Sequence, residues 1–138
     1  MGALIRDGER VMDHFGMRDA VMVGLSLGGL VAQGLAVKRL DLVRGMVLSN
    51  TAAKIGTPEI WAARIAEVRK DGLTAYAMGA MARMFGRNHA QITGVDAVRD
   101  MLIITAVEGR AGCAAAIAGT DFYTPQPDPA HIGHRRSQ

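Results

Sequence analysis

A serine flanked by glycines is the feature of this sequence with the clearest chemical potential. The stretch Gly24-Leu-Ser-Leu-Gly28 follows a β-branched run that ends at Val23, and an apolar helical pattern begins directly after it. A G-x-S-x-G pattern between a strand and a helix is typical of a sharp turn that exposes a nucleophilic serine at the end of a sheet. We therefore expect Ser26 to be the nucleophile. The backbone N–H of Leu27, at the positive end of the helix, is expected to stabilise a developing oxyanion.

The two glycines of the motif have a predicted structural role. In such a strained turn, the residues two before and two after the serine come close together, so we expect Gly24 and Gly28 to be needed because they lack a Cβ atom. The alternative is a glycine-rich strand-to-helix turn that contains an incidental serine. The strand before the motif, together with Gly29 and the apolar helix behind it, favours the catalytic interpretation.

Composition restricts the class of protein. The 138 residues fit one domain, and their net charge of +3 comes from scattered basic residues rather than a cluster, so we expect no nucleic-acid partner. No apolar run approaches the length of a membrane span, and charged residues interrupt the N-terminus where a signal peptide would be apolar, so we expect no membrane partner. The single cysteine, Cys113, excludes an internal disulfide and favours a reducing cytoplasm.

The first part of the chain shows the pattern of an α/β fold. Helical periodicity and β-branched runs predict two helices and two strands, over residues 3–15, 27–38, 20–23 and 45–49. Because a helix joins the strands, we expect them to be parallel and to form a β-α-β unit. We assign residues 1–53 to a partial α/β core that contains the serine turn.

The residues that follow are predicted to be helical. Thr57-Pro58-Glu59 is typical of a helix start, because Thr caps the first N–H groups, Pro suits the first turn and Glu favours the positive end. Periodicity predicts four helices over about 58–71, 73–85, 94–107 and 110–118, with inward-facing side chains at Met78, Met81, Met84 and Phe85. Four helices in succession without a strand indicate a helical cap, which we assign to residues 54–122.

The end of the sequence has a different character. Residues 123–138 contain several prolines and no apolar periodicity, so we expect a disordered tail. The abrupt change after Thr124-Pro125 is also what a frameshift in the gene would produce. The other two reading frames of the DNA would distinguish a frameshift from a natural divergent terminus.

Two segments carry a resemblance to a known family. Gly24-Leu-Ser-Leu-Gly-Gly29, followed by residues 47–59, resembles the α/β-hydrolases. The segment Asn50-Thr-Ala-Ala-Lys-Ile-Gly-Thr-Pro-Glu-Ile-Trp-Ala-Ala-Arg64 resembles, more narrowly, the opening of the cap domain in 3-oxoadipate enol-lactonases. The resemblance runs from about Leu4 to Tyr123 and covers the middle of a family member. We therefore expect an internal part of such an enzyme, with a partial α/β-hydrolase fold and a helical cap.

The resemblance implies a reaction and a set of residues. Such enzymes hydrolyse an enol-lactone to 3-oxoadipate in the bacterial breakdown of aromatic compounds, by acyl transfer and without a cofactor or metal. Ser26 would attack the lactone carbonyl, a His would accept its proton, and an Asp or Glu would orient that His. Trp61 and Arg64 lie where the cap of this family faces the pocket, so Arg64 would bind the substrate carboxylate. The alternative is helix packing for Trp61 and a solvated surface charge for Arg64.

The acid and the histidine of this mechanism have no good counterpart in the sequence. In this fold they follow the serine, on a later strand and a later loop. Asp128 and His131 have the right order, but no predicted helix or strand holds them in place. We therefore expect the chain to be inactive by itself.

Two other interpretations stay open. One is another carboxylic-ester hydrolase or a haloperoxidase-like relative with the same fold. The other is a non-catalytic binding or assembly module that kept the serine turn by inheritance. Separately, the outer strand edges around residues 20–23 and 46–49 would lack partners, and unpaired apolar edges recruit other chains, so we expect self-association.

Overall fold

The computed structural model describes residues 1–88 and 91–123. The helices and strands in these two ranges are α1 (Gly2–His14), β1 (Ala20–Leu25), α2 (Leu27–Lys38), β2 (Val43–Ser49), α3 (Pro58–Phe85), α4 (Val95–Ile103) and α5 (Val107–Ala118). The predicted tail over residues 123–138 lies, apart from Tyr123, outside the described residues.

The two strands form the predicted parallel β-α-β unit. β1 and β2 pair in parallel, with Val23 opposite Val47 and Leu25 opposite Ser49, and α2 connects them. α2 has the predicted bounds, whereas β1 runs two residues further than predicted because these residues continue the pairing with β2. Ser26 therefore follows the last paired residue of β1 directly.

One face of this sheet is covered by helices. The predicted amphipathic helix is confirmed as α1, whose apolar side packs with α2 and the following loop in a buried cluster of Ile5, Met12, Leu35 and Leu42. Met22 of β1 packs against the same cluster. Since successive side chains of a strand alternate between its faces, the other face is the one that carries exposed Val21, Val23 and Leu25.

A glycine divides α3 into the two helices that were predicted. Thr57 caps the first of them, and its hydroxyl accepts a hydrogen bond from the Ile60 N–H at 3.4 Å. Gly72 has φ 75° and ψ 173°, a conformation that residues with a Cβ atom rarely adopt. The chain changes direction at Gly72, and this bend lets residues from both halves of α3 line the same cavity.

The boundary between α4 and α5 differs from the prediction. α4 ends at Ile103 instead of continuing to about Val107, and α5 begins at Val107 instead of about Arg110. The reason is Ala106, whose φ of −66° and ψ of 129° are extended and cannot continue a helix.

Two of the methionines predicted to face inward are exposed. Met81 is buried and Phe85 is partly buried, as predicted, but Met78 and Met84 are largely exposed. Met78 lies off the stripe of buried positions in the second half of α3, which consists of Leu73, Tyr76, Ala77, Ala80 and Met81. Met84 lies on the same side as this stripe, but it lines the cavity near the end of the helix and stays exposed there.

A shared cluster connects the predicted core and cap. Leu30 of α2, Trp61 of α3 and Ile117 of α5 are buried together. The boundary assigned between residues 53 and 54 falls in the loop between β2 and α3 and stays a prediction. Within the described ranges, no single helix is long and apolar enough to cross a membrane, and α4 and α5 reach that length only as a pair bent by 101°.

Candidate active site

Ser26 occupies a strained turn between β1 and α2. Its φ of 50° and ψ of −114° lie in a region that residues other than glycine rarely adopt. Two hydrogen bonds hold this conformation: the Ser26 N–H donates to the Ser49 carbonyl at 3.0 Å, and the Ser26 carbonyl accepts from the Thr51 hydroxyl at 2.8 Å. The loop after β2 therefore fixes the serine at the end of the sheet, where the motif predicts it.

The glycine contact at this turn differs in part from the predicted one. A Cβ atom on Gly24 would lie 2.6 Å from the Cα of Gly29 and 2.8 Å from the carbonyl oxygen of Gly28, so the predicted need for Gly24 is confirmed and β1 and α2 touch there through backbone atoms. A Cβ atom on Gly28 would meet nothing within 4 Å. Each residue of a helix is rotated by about 100° from the last, and it is the third residue after the serine, not the second, that faces the strand. Gly29 also faces Thr51, whose Cγ2 would be 2.5 Å from an added Cβ atom.

The N-terminus of α2 presents backbone N–H groups beside the serine. Leu27 is the first residue of the helix, and the first N–H groups of a helix have no acceptor within it. The side chain of Ser26 makes no capping hydrogen bond to them. When the Ser26 hydroxyl attacks a carbonyl carbon, the negative charge develops on the carbonyl oxygen of the substrate, and these N–H groups are the nearby donors for the predicted role of Leu27.

A cavity brings the four predicted site residues together. Its volume is about 530 Å³, which is within the range of small-molecule sites. Ser26 and Leu27 line it from the core, and Trp61 and Arg64 line it from the start of α3. The other lining residues come from the helices of the cap and from the loop between α4 and α5: Tyr76, Ala80, Met81, Arg83, Met84, Val98, Met101, Leu102, Thr105, Arg110, Cys113 and Ile117.

Trp61 and Arg64 form a stacked pair on this cavity. Trp61 is only 7% exposed, and its indole N–H donates to the Ile55 carbonyl at 2.6 Å. The guanidinium carbon of Arg64 lies 4.6 Å from the centroid of the Trp61 ring, a distance typical of a cation–π contact. Trp61 therefore packs in the core and lines the cavity at once, and it holds the positive charge of Arg64 in place.

The chain is similar to enol-lactonases in both sequence and structure. It is 34% identical over 113 residues to the 3-oxoadipate enol-lactonase 2 of Acinetobacter baylyi, which covers 80% of this chain and 42% of that protein. Its structure matches an enol-lactonase of Burkholderia xenovorans with a TM-score of 0.79 and 33% identity, over 87% of this chain and 47% of that one. The chain therefore has a partial α/β-hydrolase fold. No protein-family model matches it.

Two further solved structures share this α/β-hydrolase fold. A hydrolase of Pseudomonas aeruginosa matches with a TM-score of 0.72 and 31% identity, over 85% of this chain and 45% of that one. An esterase of Thermogutta terrifontis, described with malate bound, matches with a TM-score of 0.66 and 29% identity, over 80% and 43%. This chain therefore spans less than half the length of the relatives that it matches.

The cavity is also lined by residues that sequence reasoning missed. Tyr76, Arg83 and Arg110 line it together with Arg64. The Tyr76 hydroxyl accepts a hydrogen bond from Arg110 at 3.0 Å, across a separation of 34 residues in sequence. Residue spacing within one helix cannot predict a contact between two helices. In the sequence, Tyr76 is only one more residue in the apolar stripe of a helix, where a tyrosine is typical of a packed core.

The lining of the cavity holds no acid–base partner for Ser26 among the described residues. No His, Asp or Glu lines the cavity. His14 is exposed on α1 with its ring 4.9 Å from that of Phe15, and Asp121 forms an ion pair with Lys54 at 2.9 Å. Asp128 and His131 lie outside the described residues. Within residues 1–88 and 91–123, no cluster of three His, Cys, Asp or Glu residues would hold a metal ion.

Proposed function

We propose that this chain carries the nucleophile and the substrate-binding cap of a carboxylic ester or lactone hydrolase of the 3-oxoadipate enol-lactonase type, acting in the breakdown of aromatic compounds. The observation that supports this most is the strained conformation of Ser26 on the wall of a cavity. The identity of 34% to the enol-lactonase of Acinetobacter baylyi supports the substrate class. The compartment we propose is the cytoplasm, because the free thiol of Cys113 fits a reducing environment.

The proposed chemistry is acyl transfer through Ser26. Its Oγ attacks the carbonyl carbon while a general base takes the hydroxyl proton, and the resulting oxyanion accepts a hydrogen bond from the Leu27 N–H. The carbon–oxygen bond to the leaving alcohol then breaks, the alcohol oxygen takes up the proton, and water hydrolyses the acyl-enzyme. In a lactone this leaving alcohol stays attached to the acyl group as the enol of the product.

The general base is the part of this mechanism that the described residues do not supply. A serine hydroxyl ionises far above neutral pH and is a weak nucleophile without a neighbouring base. The cavity that Ser26 lines contains no His, Asp or Glu among the described residues. We therefore expect the 138-residue chain by itself to show no lactone hydrolysis above background.

The proposed substrate contacts are those of Trp61 and Arg64. The Arg64 guanidinium faces the same cavity as Ser26, and a guanidinium pairs with a carboxylate through two parallel hydrogen bonds. The ring of Trp61 orients this group by stacking at 4.6 Å. This arrangement supports a substrate that carries a carboxylate at a fixed distance from its reactive carbonyl.

A chimera tests the proposal in the context of a whole enzyme. Residues 1–123 of this chain would replace the matching half of the Burkholderia xenovorans enol-lactonase, which supplies the rest of the fold. We expect the chimera to hydrolyse the enol-lactone faster than p-nitrophenyl acetate, and Ser26→Ala to reduce turnover on the order of a millionfold. A faster reaction with the simple ester would favour the esterase alternative instead.

Matched variants of the chimera separate catalysis from substrate binding. Arg64→Gln is expected to raise KM for the enol-lactone about tenfold with a smaller effect on p-nitrophenyl acetate, because only the lactone has a carboxylate. The control is Arg10→Gln, an exposed arginine of α1, which should change neither substrate. A folded chimera that keeps its activity after Ser26→Ala would contradict the proposal.

A further inference from the structure

Three arginines of the cap face the cavity without a carboxylate partner. Arg64, Arg83 and Arg110 all line it, and no Asp or Glu of the described chain does. None of the three forms an ion pair with a described residue, whereas the arginines that do are elsewhere: Arg18, Arg39, Arg44, Arg69 and Arg99. The positive charge is thus left uncompensated at the cavity.

Tyr76 holds two of these arginines in place. Its side chain is 2% exposed, and its hydroxyl accepts a hydrogen bond from an Arg110 Nη at 3.0 Å. The guanidinium carbons of Arg83 and Arg110 lie 5.1 Å and 5.5 Å from the centroid of its ring. The attraction of each cation to the ring offsets part of their mutual repulsion, and an anion between them would offset the rest.

The Tyr76 hydroxyl can also donate a hydrogen bond. It accepts the bond from Arg110, and its own hydrogen has no acceptor among the described residues. Burial raises the pKa of Tyr76, but the hydrogen bond from Arg110 and the charges of Arg110 and Arg83 outweigh burial, so the pKa lies below its ordinary value. A lowered pKa makes the phenol a stronger hydrogen-bond donor to an anionic oxygen.

We propose that Arg83, Arg110 and the Tyr76 hydroxyl form a second anion-binding site, beside Arg64, which selects ligands that carry two carboxylates. This goes beyond the proposed function, in which the substrate has a single carboxylate bound by Arg64, and rests on it for one point, that the cavity lined by Ser26 is the substrate site. Arg64, Arg83, Arg110 and Tyr76 all line the same cavity as Ser26. One ligand would therefore contact Arg64 with one carboxylate and the Arg83–Arg110 pair with the other.

Equilibrium binding tests this without any need for turnover. The whole chain with Ser26→Ala would be titrated with adipate, a dicarboxylate, and with hexanoate, a monocarboxylate of the same length. The fluorescence of Trp61, the single tryptophan, reports occupancy of the cavity, and calorimetry gives an independent Kd. We expect adipate to bind at least about tenfold more tightly than hexanoate, because it gains charge-assisted hydrogen bonds.

Variants of the site identify the groups responsible. Arg83→Gln combined with Arg110→Gln should remove the preference for adipate and leave the Kd of hexanoate within about twofold. Tyr76→Phe should weaken adipate binding by a smaller factor, and Arg110→Lys should restore part of what Arg110→Gln loses, since a lysine keeps the charge without the guanidinium geometry. Arg10→Gln, on the exposed side of α1, is the matched control and should change neither ligand.

Each result bears on one proposal only. Equal affinities for adipate and hexanoate, no binding of adipate, or unchanged adipate binding in the folded double variant would overturn the second anion site. Circular dichroism establishes that each variant is folded, and Arg110→Lys supplies the test if the glutamine variants do not fold. Because Ser26 is absent throughout, failure of the hydrolase proposal in the chimera leaves these outcomes intact.

Discussion

At the scale of single residues, the candidate site depends on one backbone contact. Ser26 keeps a φ of 50° only because β1 and α2 meet closely on either side of it. That closeness comes from Gly24 and Gly29, whose backbones touch, and from Thr51, which packs on Gly29 and donates to the Ser26 carbonyl. Strain in the serine is thus balanced by packing in three short segments of chain.

Gly24→Ala tests this contact. The added Cβ atom would lie 2.6 Å from the Cα of Gly29, and because backbone cannot move aside, we expect the free energy of unfolding to fall by about 1–3 kcal/mol. Gly28→Ala is the matched control, since its Cβ atom would meet nothing within 4 Å and alanine favours a helix by about 1 kcal/mol. Urea unfolding of both variants measures the difference. Equal losses would mean that Gly28 also needs to lack a Cβ atom, as the sequence pattern predicts.

At the scale of elements, an arginine after α2 ties α1 to the sheet. The Arg39 guanidinium binds Asp13 of α1 at 2.9 Å and 3.0 Å and Asp41 before β2 at 2.8 Å through each of two nitrogens. The hydrogen bonds from Arg39 hold the pKa of both carboxyl groups below their ordinary values. All of these groups are on the surface, so the effect on stability is modest.

The sign of these shifts predicts a pH dependence. Carboxyl groups with a lowered pKa stabilise the folded state above the pKa of the unfolded chain, and this contribution disappears as the pH falls through the folded pKa values. We expect Arg39→Gln to lower the melting temperature at pH 7, and the difference from the parent chain to shrink between about pH 5 and about pH 2. Thermal unfolding over this range measures it, with Arg10→Gln as the variant that should show no such trend. If the difference in melting temperature between Arg39→Gln and the parent chain did not change with pH, Arg39 would stabilise the fold through packing and not through its charge.

At the scale of the whole molecule, the two-stranded sheet is incompletely covered. Its open face carries Val21, Val23, Leu25 and Val47, and each strand has only the other as a partner among the described residues. All-parallel sheets in proteins are, as a rule, covered by helices on both faces. An apolar face and two free edges together attract other chains.

We therefore propose that the purified chain self-associates through this sheet. Val23→Lys places a charge on the open face, where Val23 is 77% exposed, and is expected to reduce association. Val37→Lys is the matched control, because Val37 is similarly exposed at 82% but lies on α2, away from the sheet. Size-exclusion chromatography with light scattering, over a range of concentrations, compares the variants. A monomeric parent chain at every concentration would contradict this proposal.

The sequence by itself determined the features that depend on near neighbours. The G-x-S-x-G pattern after a β-branched run predicts the position of Ser26, the Thr57-Pro58 pair predicts the start of α3, and Gly72 predicts its interruption. Each of these features depends on backbone conformation and capping within a few residues. Local residue types determine such preferences.

Only the tertiary structure decided which side chains meet across the cap and the core. Gly29 rather than Gly28 is the helix glycine whose added Cβ atom would clash, because the rotation of α2 against β1 sets the contact. Tyr76 and Arg110 are 34 residues apart, and they meet only because the second half of α3 packs against α5. The periodicity within each helix does not specify how the two helices pack against each other. The positively charged cavity is a result of that packing, so only the folded structure reveals it.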